Sequence, residues 1–283
     1  MKLLEAELVE TRQFLAGQWL QTYHAPALAA AAQPGQFVHV RTPDYSGLVL
    51  RRPFSINTFD RRSGTITVHF RVTGVGTQWL AHMQPGERAE MLGPLGRQFE
   101  IAAGSRQLLL VAGGLGMAGV RSLADAALAD GRQVVLLFGA ASAAEVYPSN
   151  LLPDEVEYAV ATDDGSFGRH GRVTELVGDY ERWADQCFAC GPMPMLAALA
   201  ALAEGRDKRL GVASLRKRRL RASPAGSPAA RRRAWLQVSL EQNMGCAVGA
   251  CLGCVVMGKA GPQRVCREGP VFAAEEIAWQ GWA

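Results

Sequence analysis

Four of the six cysteines stand in one spacing, Cys246-x4-Cys251-x2-Cys254-x11-Cys266. Three thiols in one short loop and a fourth further along match the plant-type [2Fe–2S] ligand pattern. Gly245, Gly249 and Gly253 lie between them, freeing the backbone to wrap closely and aim amide N–H groups at sulfur. Ala247 and Ala250 leave room. Four thiolates also suit tetrahedral zinc, but zinc sites more often show two separated CxxC knuckles. One glycine-rich loop plus a distant cysteine favours iron and sulfide.

Further upstream, Arg51-Arg-Pro-Phe-Ser-Ile56 ends an apolar run. Arg52 could grip a pyrophosphate with two hydrogen bonds, Pro53 stiffens the turn, and Ser55 can reach a ring edge. Gly74-Val-Gly76-Thr77 precedes a helical pattern, which would leave free N–H groups suited to phosphate. Together these suggest a flavin dinucleotide, with Gly93-Pro-Leu-Gly96 as a constrained turn nearby. Gly113-Gly114-Leu-Gly116-Met-Ala-Gly119 follows an apolar strand and opens a helix, the context a dinucleotide fingerprint requires. The tip of the next strand, Phe138-Gly-Ala-Ala-Ser142, carries neither the usual acid nor an Arg or Lys. The missing base disfavours a 2′-phosphate and points to NAD rather than NADP. Cys190-Gly191-Pro192 ends a later strand, where a thiol would stand between nicotinamide and flavin. Cys187, three residues earlier, reads as a buried core thiol, and residues 163–166 (DDGS) as an acidic turn on the same edge.

Such residues need a frame, and the pattern supplies two. From residue 1 to about 100 short alternating runs recur; in 65–72, Ile66, Val68, Phe70 and Val72 oppose Thr65, Thr67, His69 and Arg71. That is a sheet with one buried face, and several such strands in a row favour a small barrel. Beyond Gly104 the runs turn continuously apolar (108–112, 133–138, 157–161, 186–190) and alternate with helical segments, of which 193–203 is the last. This predicts a doubly wound parallel sheet. The fold class is therefore α/β plus all-β, with divisions at 1–101 (flavin-binding β-barrel), 104–205 (NAD-binding α/β domain), 206–233 (Arg/Ala/Pro-rich insertion or linker) and 234–283 (cluster-binding unit).

The formal net charge of +4 hides a segregation. Residues 206–233 hold 11 Lys/Arg against one acid, and the remainder carries 19 bases and 25 acids. The basic balance belongs to one segment, read as a solvated linker, although an Arg-rich run could also bind nucleic acid. No run approaches the roughly 18 apolar residues of a membrane span. The start, MKLLEAELVETRQF, has no apolar signal core, so a cytoplasmic location is expected. Cysteines there imply metal or redox chemistry before disulfides.

Taken in order, RPFS, GxGT, GPLG, strand–GGxG–helix, ATDDGS, CGPMPML and the cysteine loop resemble the electron-transfer subunit of NAD-dependent dihydroorotate dehydrogenase B, within the ferredoxin-reductase-like superfamily. The resemblance covers nearly the whole chain except about 206–233. Its most specific parts are 239–246 (SLEQNMGC), 249–254 (GACLGC) and 265–272 (VCREGPVF). It implies FAD held by Arg52, Pro53, Phe54, Ser55, His69, Phe70, Arg71, Gly76 and Thr77. It implies NAD over Gly113, Gly114 and Gly116, with Gly191 and a catalytic Cys190 near the nicotinamide. It implies a partner, an FMN-bearing catalytic subunit that oxidises dihydroorotate in pyrimidine (UMP) synthesis, in a heterotetramer of two copies of each. Membrane and nucleic acid are not among the implied partners. Two positions depart from the family: Gly119 stands where proline is usual, loosening that helix start, and the Arg-rich insertion precedes the cysteine unit. Other readings are a different NAD(P)H-dependent reductase subunit feeding a ferredoxin or oxygenase, and a non-enzymatic redox sensor or nucleic-acid-binding regulator.

Overall fold

A computed structural model describes residues 1–42, 50–209 and 234–281. Most of the Arg-rich insertion, from residue 210 to 233, lies outside the described residues.

Six strands close a barrel: β1 (Lys2–Leu15), β2 (Gln18–His24), β3 (Phe37–Val40), β4 (Arg52–Asp60), β5 (Thr65–Arg71) and β6 (Arg88–Leu95), in the order β1-β2-β5-β4-β3-β6. Alternation fills it as expected: Ile66, Val68 and Phe70 are buried with Leu8, Tyr23, Val38, Ile56 and Met91. A short helix, α1 (Pro26–Ala29), plugs one end, and α2 (Val75–His82) follows β5. His69 breaks the pattern. Its position on β5 faces outward, yet it is buried, because Phe14 and Tyr147 cover it with ring centroids at 5.0 and 5.9 Å. The barrel wall there is the seam to the second unit. The expected turn at 93–96 is instead the end of β6; only Gly96, at φ +74°, turns the chain.

The second unit is a seven-stranded sheet of β7 (Gln107–Gly113), β8 (Gln133–Ala140), β9 (Glu157–Thr162), β10 (Arg169–His170), β11 (Gln186–Cys190), β12 (Leu236–Ser239) and β15 (Val271–Ala273). Its order is β10-β9-β8-β7-β11-β12-β15, parallel except for β15. Helix α3 (Met117–Ala129) packs on one face, through Val120, Leu123 and Ala124 against Leu108, Leu110 and Phe138. Helices α4 (Val173–Tyr180) and α5 (Met193–Arg209) cover the other, through Leu176 and Leu196 against Leu109, Val111 and Leu137. Both faces are buried, which is why these strands read as unbroken apolar runs. The chain winds outward through β8 and β9, then returns to β11 on the other side of β7. The resulting switch point lies between the C-terminal ends of β7 and β11, where such sheets bind ligands.

Two expected boundaries move. Helix α5 runs on to Arg209 because Arg206 and Arg209 bond to Glu181, so the first residues of the basic segment are helical. The cysteine unit is not separate from residue 234 onward: β12 pairs with β11, and β15 pairs with β12. The part that stands apart is the hairpin β13 (Val255–Gly258) and β14 (Gly261–Arg264) with the loop before it. Its buried Cys254 and Val256, with Cys266 and Ile277 from the chain that follows, share a core with the sheet.

Gln237, fully buried on β12, ties the units together. Its amide accepts from Glu100 N at 2.9 Å and donates to Glu100 O at 2.6 Å. Replacing Gln237 with alanine strips a buried backbone N–H and C=O of this partner. A loss of about 3 kcal/mol is expected, read as a fall in denaturant midpoint.

Candidate functional site

The cysteine loop folds as two thiol pairs. Cys246 and Cys251 are within hydrogen-bond reach of each other, as are Cys254 and Cys266. Amides are turned inward: Ala250 N and Cys251 N donate to Cys246 Sγ at 3.2 and 3.4 Å, Gly253 N to Cys251 Sγ at 3.5 Å, and Cys266 N to Cys254 Sγ at 3.4 Å. Burial raises the Cys246 thiol, but amides of Cys251, Val248 and Ala250 outweigh it, and the net shift is downward, toward thiolate. Cys266 goes the other way, through burial and the adjacent Cys254. The left-handed positions are only partly those expected: Gly249 takes φ +84°, but Ala247 and Leu252, at +56° and +58°, take the others. Gly245 and Gly253 lie beside Cys251, where a Cβ would make ordinary van der Waals contact with its Sγ, at 3.4 and 3.5 Å. Arg264 clamps the loop, donating to Gly249 O at 3.0 Å while pairing with Glu268. Among the described residues no three ligand side chains converge on one point. Thiols arranged in two pairs, with inward amides, fit the two irons of a [2Fe–2S] group, each taking two thiolates.

Beside the loop lies a cavity of about 800 Å³, within the range of cofactor sites. Arg52, Pro53, Phe54, Ser55, His69, Phe70, Arg71, Gly76 and Thr77 all line it. Residues 52–55 open β4 rather than forming a turn at a strand end. The Arg52 guanidinium lies over the start of α2, where a Cβ on Gly76 would be 3.2 Å from Arg52 Nε. Thr77 caps that helix, its Oγ1 accepting from Thr73 N at 2.9 Å and Gly74 N at 3.2 Å. A guanidinium beside open helical N–H groups suits a pyrophosphate. His69 is held neutral by burial, then by Arg71, its pKa down to about 3. Its Nε2–H donates to Gln18 Oε1 at 2.9 Å, and its buried Nδ1 has no partner among the described residues. Aromatic, cationic and acceptor groups together fit a flavin dinucleotide.

The far wall was not expected. Leu115 in the turn before α3, Ala118 of α3, and residues 239–244 from the end of β12 onward complete this side of the cavity. The polar run 241–243 (EQN), set directly behind a buried strand, is the signal in the sequence that could have marked it.

At the switch point the expected glycines are explained by contacts. A Cβ on Gly113 would be 2.8 Å from Met195 Sδ; one on Gly116 would be 2.0 Å from Cys190 O. Gly191, at φ +154°, has Gly113 N 3.0 Å from where a Cβ would stand. Gly114 takes φ +53° over open space. The strand ends and helix start thus approach backbone to backbone, leaving an edge open to a dinucleotide. Cys190 sits at the predicted strand end, but its thiol does not face the cavity. It is 1% exposed beneath α3, and burial, then the Glu241 carboxylate, push it well above a free thiol. A thiol held so firmly protonated is no nucleophile. Gly119 is explained by it: a Cβ there would be 2.6 Å from Cys190 Sγ, so the first turn of α3 is packed rather than loosened. Cys187 is buried in the core as expected. Residues 163–166 do form a turn at the edge, with Asp163 N and Asp164 N bonding Ala140 O and Ala141 O. An acid does follow β8, beyond the tip: Glu145, on the turn Ala143–Glu145, pairs with Arg71 at 3.2 Å.

Residues 241–278 match the family model described as the iron–sulfur cluster binding domain of dihydroorotate dehydrogenase B. Curated relatives named dihydroorotate dehydrogenase B (NAD(+)), electron transfer subunit, align over nearly the whole chain. That of Desulforamulus reducens is 32% identical over 99% of both chains. That of Geobacillus thermodenitrificans is 35% identical, covering 90% of this chain and 91% of its own. That of Bacillus caldolyticus is 38% identical over 87% and 86%. Among solved structures, an NADH-dependent reduced ferredoxin–NADP oxidoreductase superposes with a TM-score of 0.77 at 24% identity, over 97% of this chain and 90% of that one. The ferredoxin reductase of carbazole 1,9a-dioxygenase gives 0.61 at 22%, over 72% and 65%. At these identities the superpositions speak for the fold, a ferredoxin-reductase-like barrel and α/β sheet.

Proposed function

The chain belongs to the family of dihydroorotate dehydrogenase B (NAD(+)) electron transfer subunits, and on that premise we propose that it relays electrons from a catalytic partner to NAD+ in pyrimidine synthesis. The observation that carries this is continuity of one segment. Residues 239–244 wall the flavin-sized cavity, and Cys246 follows Met244 by two residues. Two residues span at most about 7 Å, so the first thiol stands next to the cavity wall.

When bound, the [2Fe–2S] group supplies one-electron chemistry, FAD exchanges single electrons for pairs, and NAD carries hydride. The protein's part is to hold and separate them. Cys246, Cys251, Cys254 and Cys266 hold the iron pair. Arg52 and the start of α2 hold the FAD pyrophosphate, Pro53, Phe54, Ser55 and Phe70 its ring system, and Arg71, His69, Gly76 and Thr77 the remainder. Gly113, Gly114, Gly116 and Gly191 admit NAD at the switch point. The units are a barrel to residue 101, a sheet domain from 104, and a cysteine unit whose independent part begins after β12.

We further propose that the partner is an FMN-bearing subunit oxidising dihydroorotate to orotate, two copies of each forming the assembly in the cytoplasm. Val248, Leu252, Val255 and Met257 are exposed around the exposed Cys251, an apolar rim fitted to a protein partner at the point where electrons enter. No helix among the described residues is long and apolar enough to cross a membrane. The deciding experiment is anaerobic purification with the candidate partner, followed by dihydroorotate-dependent NADH formation and iron, sulfide and flavin analysis. Flavin and cluster without that activity would assign a different redox donor. Replacing Arg52 with alanine is expected to weaken FAD retention roughly tenfold to a hundredfold, as for a lost charge-assisted pair, measured by fluorescence of released flavin.

A further inference from the structure

Electrons arriving through thiolate-bound iron bring no proton, whereas a hydride leaving for NAD+ carries one. If the electron-transfer function holds, one proton per turnover must therefore be supplied inside the cavity. The walls contain one group placed for it. Glu241 lines the cavity two residues beyond the end of β12. Its side chain is exposed at the cavity wall, with protein packed densely around it on the remaining sides. Cys190 Sγ–H donates to its Oε1 at 3.8 Å from behind. Ser239, the register partner of Cys190 across β11 and β12, bonds to the same thiol. Among the described residues Glu241 forms no ion pair; Arg52, Arg71 and His69 line the same cavity on the barrel's strands, Arg71 being paired with Glu145. Burial raises its carboxyl above the ordinary range, with the Cys190 bond pulling weakly the other way. An acid with no ion pair among the described residues, facing the cavity and backed by a thiol that burial holds protonated, has no structural task that a glutamine would not fill.

We propose that Glu241 is the acid–base group of this cavity, with Cys190 and Ser239 as positioning residues behind it. In the direction of NADH formation, two electrons delivered singly and the Glu241 proton make up the hydride that NAD+ accepts. NAD+ is reduced, the donor feeding the cluster is oxidised, and the Glu241 carboxylate regains a proton from water. In reverse, Glu241 takes up the proton that the hydride brings.

The test uses the full chain loaded with FAD and cluster, oxidising NADH with ferricyanide. Wild-type turnover should rise with pH as Glu241 ionises. E241Q should lose that rise and fall roughly tenfold to a hundredfold, the range of a general acid–base group that water partly replaces. E241D should restore a displaced rise, and C190A should shift it without removing it. Independently, the reduced-minus-oxidised infrared spectrum should carry a protonated-carboxyl band that E241Q lacks. An E241Q protein with full FAD and iron whose pH profile superimposes on wild type overturns the proposal. If E241Q fails to retain FAD, the wild-type infrared spectrum decides, and absence of a responding carboxyl band overturns it. A wild-type chain that binds no FAD and does not oxidise NADH would instead overturn the electron-transfer reading, and this proposal with it.

Discussion

Replacing Cys254 with serine should empty the chain of iron and sulfide and, with the partner present, cut dihydroorotate-dependent NADH formation by roughly a hundredfold or more. Cys254 is buried, as is its pair partner Cys266, whose amide is aimed at the Cys254 sulfur and whose thiol lies beside it. A hydroxyl there is a poor ligand for iron, being harder and protonated at neutral pH. The other three thiols cannot compensate, because a [2Fe–2S] group takes four thiolates, two on each iron. FAD content should persist, because the residues that would grip its phosphates lie on β4 and α2, far along the chain from the loop. Iron and sulfide analysis with the visible spectrum checks the first half, and flavin content the second. Loss of both groups together would mean that the loop and the cavity fold as one unit.

Much of this arrangement is legible in the sequence because it depends on local rules. Cysteine spacing is a local property, and so are the alternation of Ile66, Val68 and Phe70 and the unbroken apolar run of β7. What is not legible depends on which neighbour covers a face. The alternation on β5 assigns His69 to the outside correctly, but cannot show that Phe14 and Tyr147 come to cover it. Residues 239–244 read as the approach to the cysteines, and only the pairing of β12 with β11 turns them into a cavity wall. The same pairing puts the Cys190 thiol behind Glu241 rather than in the cavity. Glycine content misleads in the loop, where Ala247 and Leu252 accept left-handed backbone for the sake of the amide directions. A rule that assigns such positions to glycine counts local strain and omits what the surrounding bonds can offset.

Gly116→Ala should destabilise the fold by about 3 kcal/mol or more and lower the melting temperature by roughly 6–12 °C, although local propensity argues the opposite. Gly116 has φ −58° and ψ −17°, a helical conformation that alanine adopts freely, and alanine is favoured over glycine in helices by about 1 kcal/mol. The clash decides the sign. A Cβ there would stand 2.0 Å from Cys190 O, 2.4 Å from Cys190 C and 2.6 Å from Gly191 N. All three are backbone atoms at the end of a central strand, so no rotamer change relieves them. The helix start must retreat by more than an ångström, disturbing the buried contacts of Met117 and Val120 and the Ser122 bond to Ile56 O across the seam. The KM for NAD should rise as well, because the edge at Gly113 and Gly191 loses its close approach. Gly119→Ala supplies the contrast. Its Cβ would meet the Cys190 side chain, Sγ at 2.6 Å, rather than backbone. Combining it with Cys190→Ala should therefore recover part of its lost stability, whereas the same second change should leave Gly116→Ala unrelieved. Thermal denaturation of the three single and two double variants closes both cycles. Rescue of Gly116→Ala by Cys190→Ala would show that the thiol, and not the strand backbone, sets how closely this helix can approach.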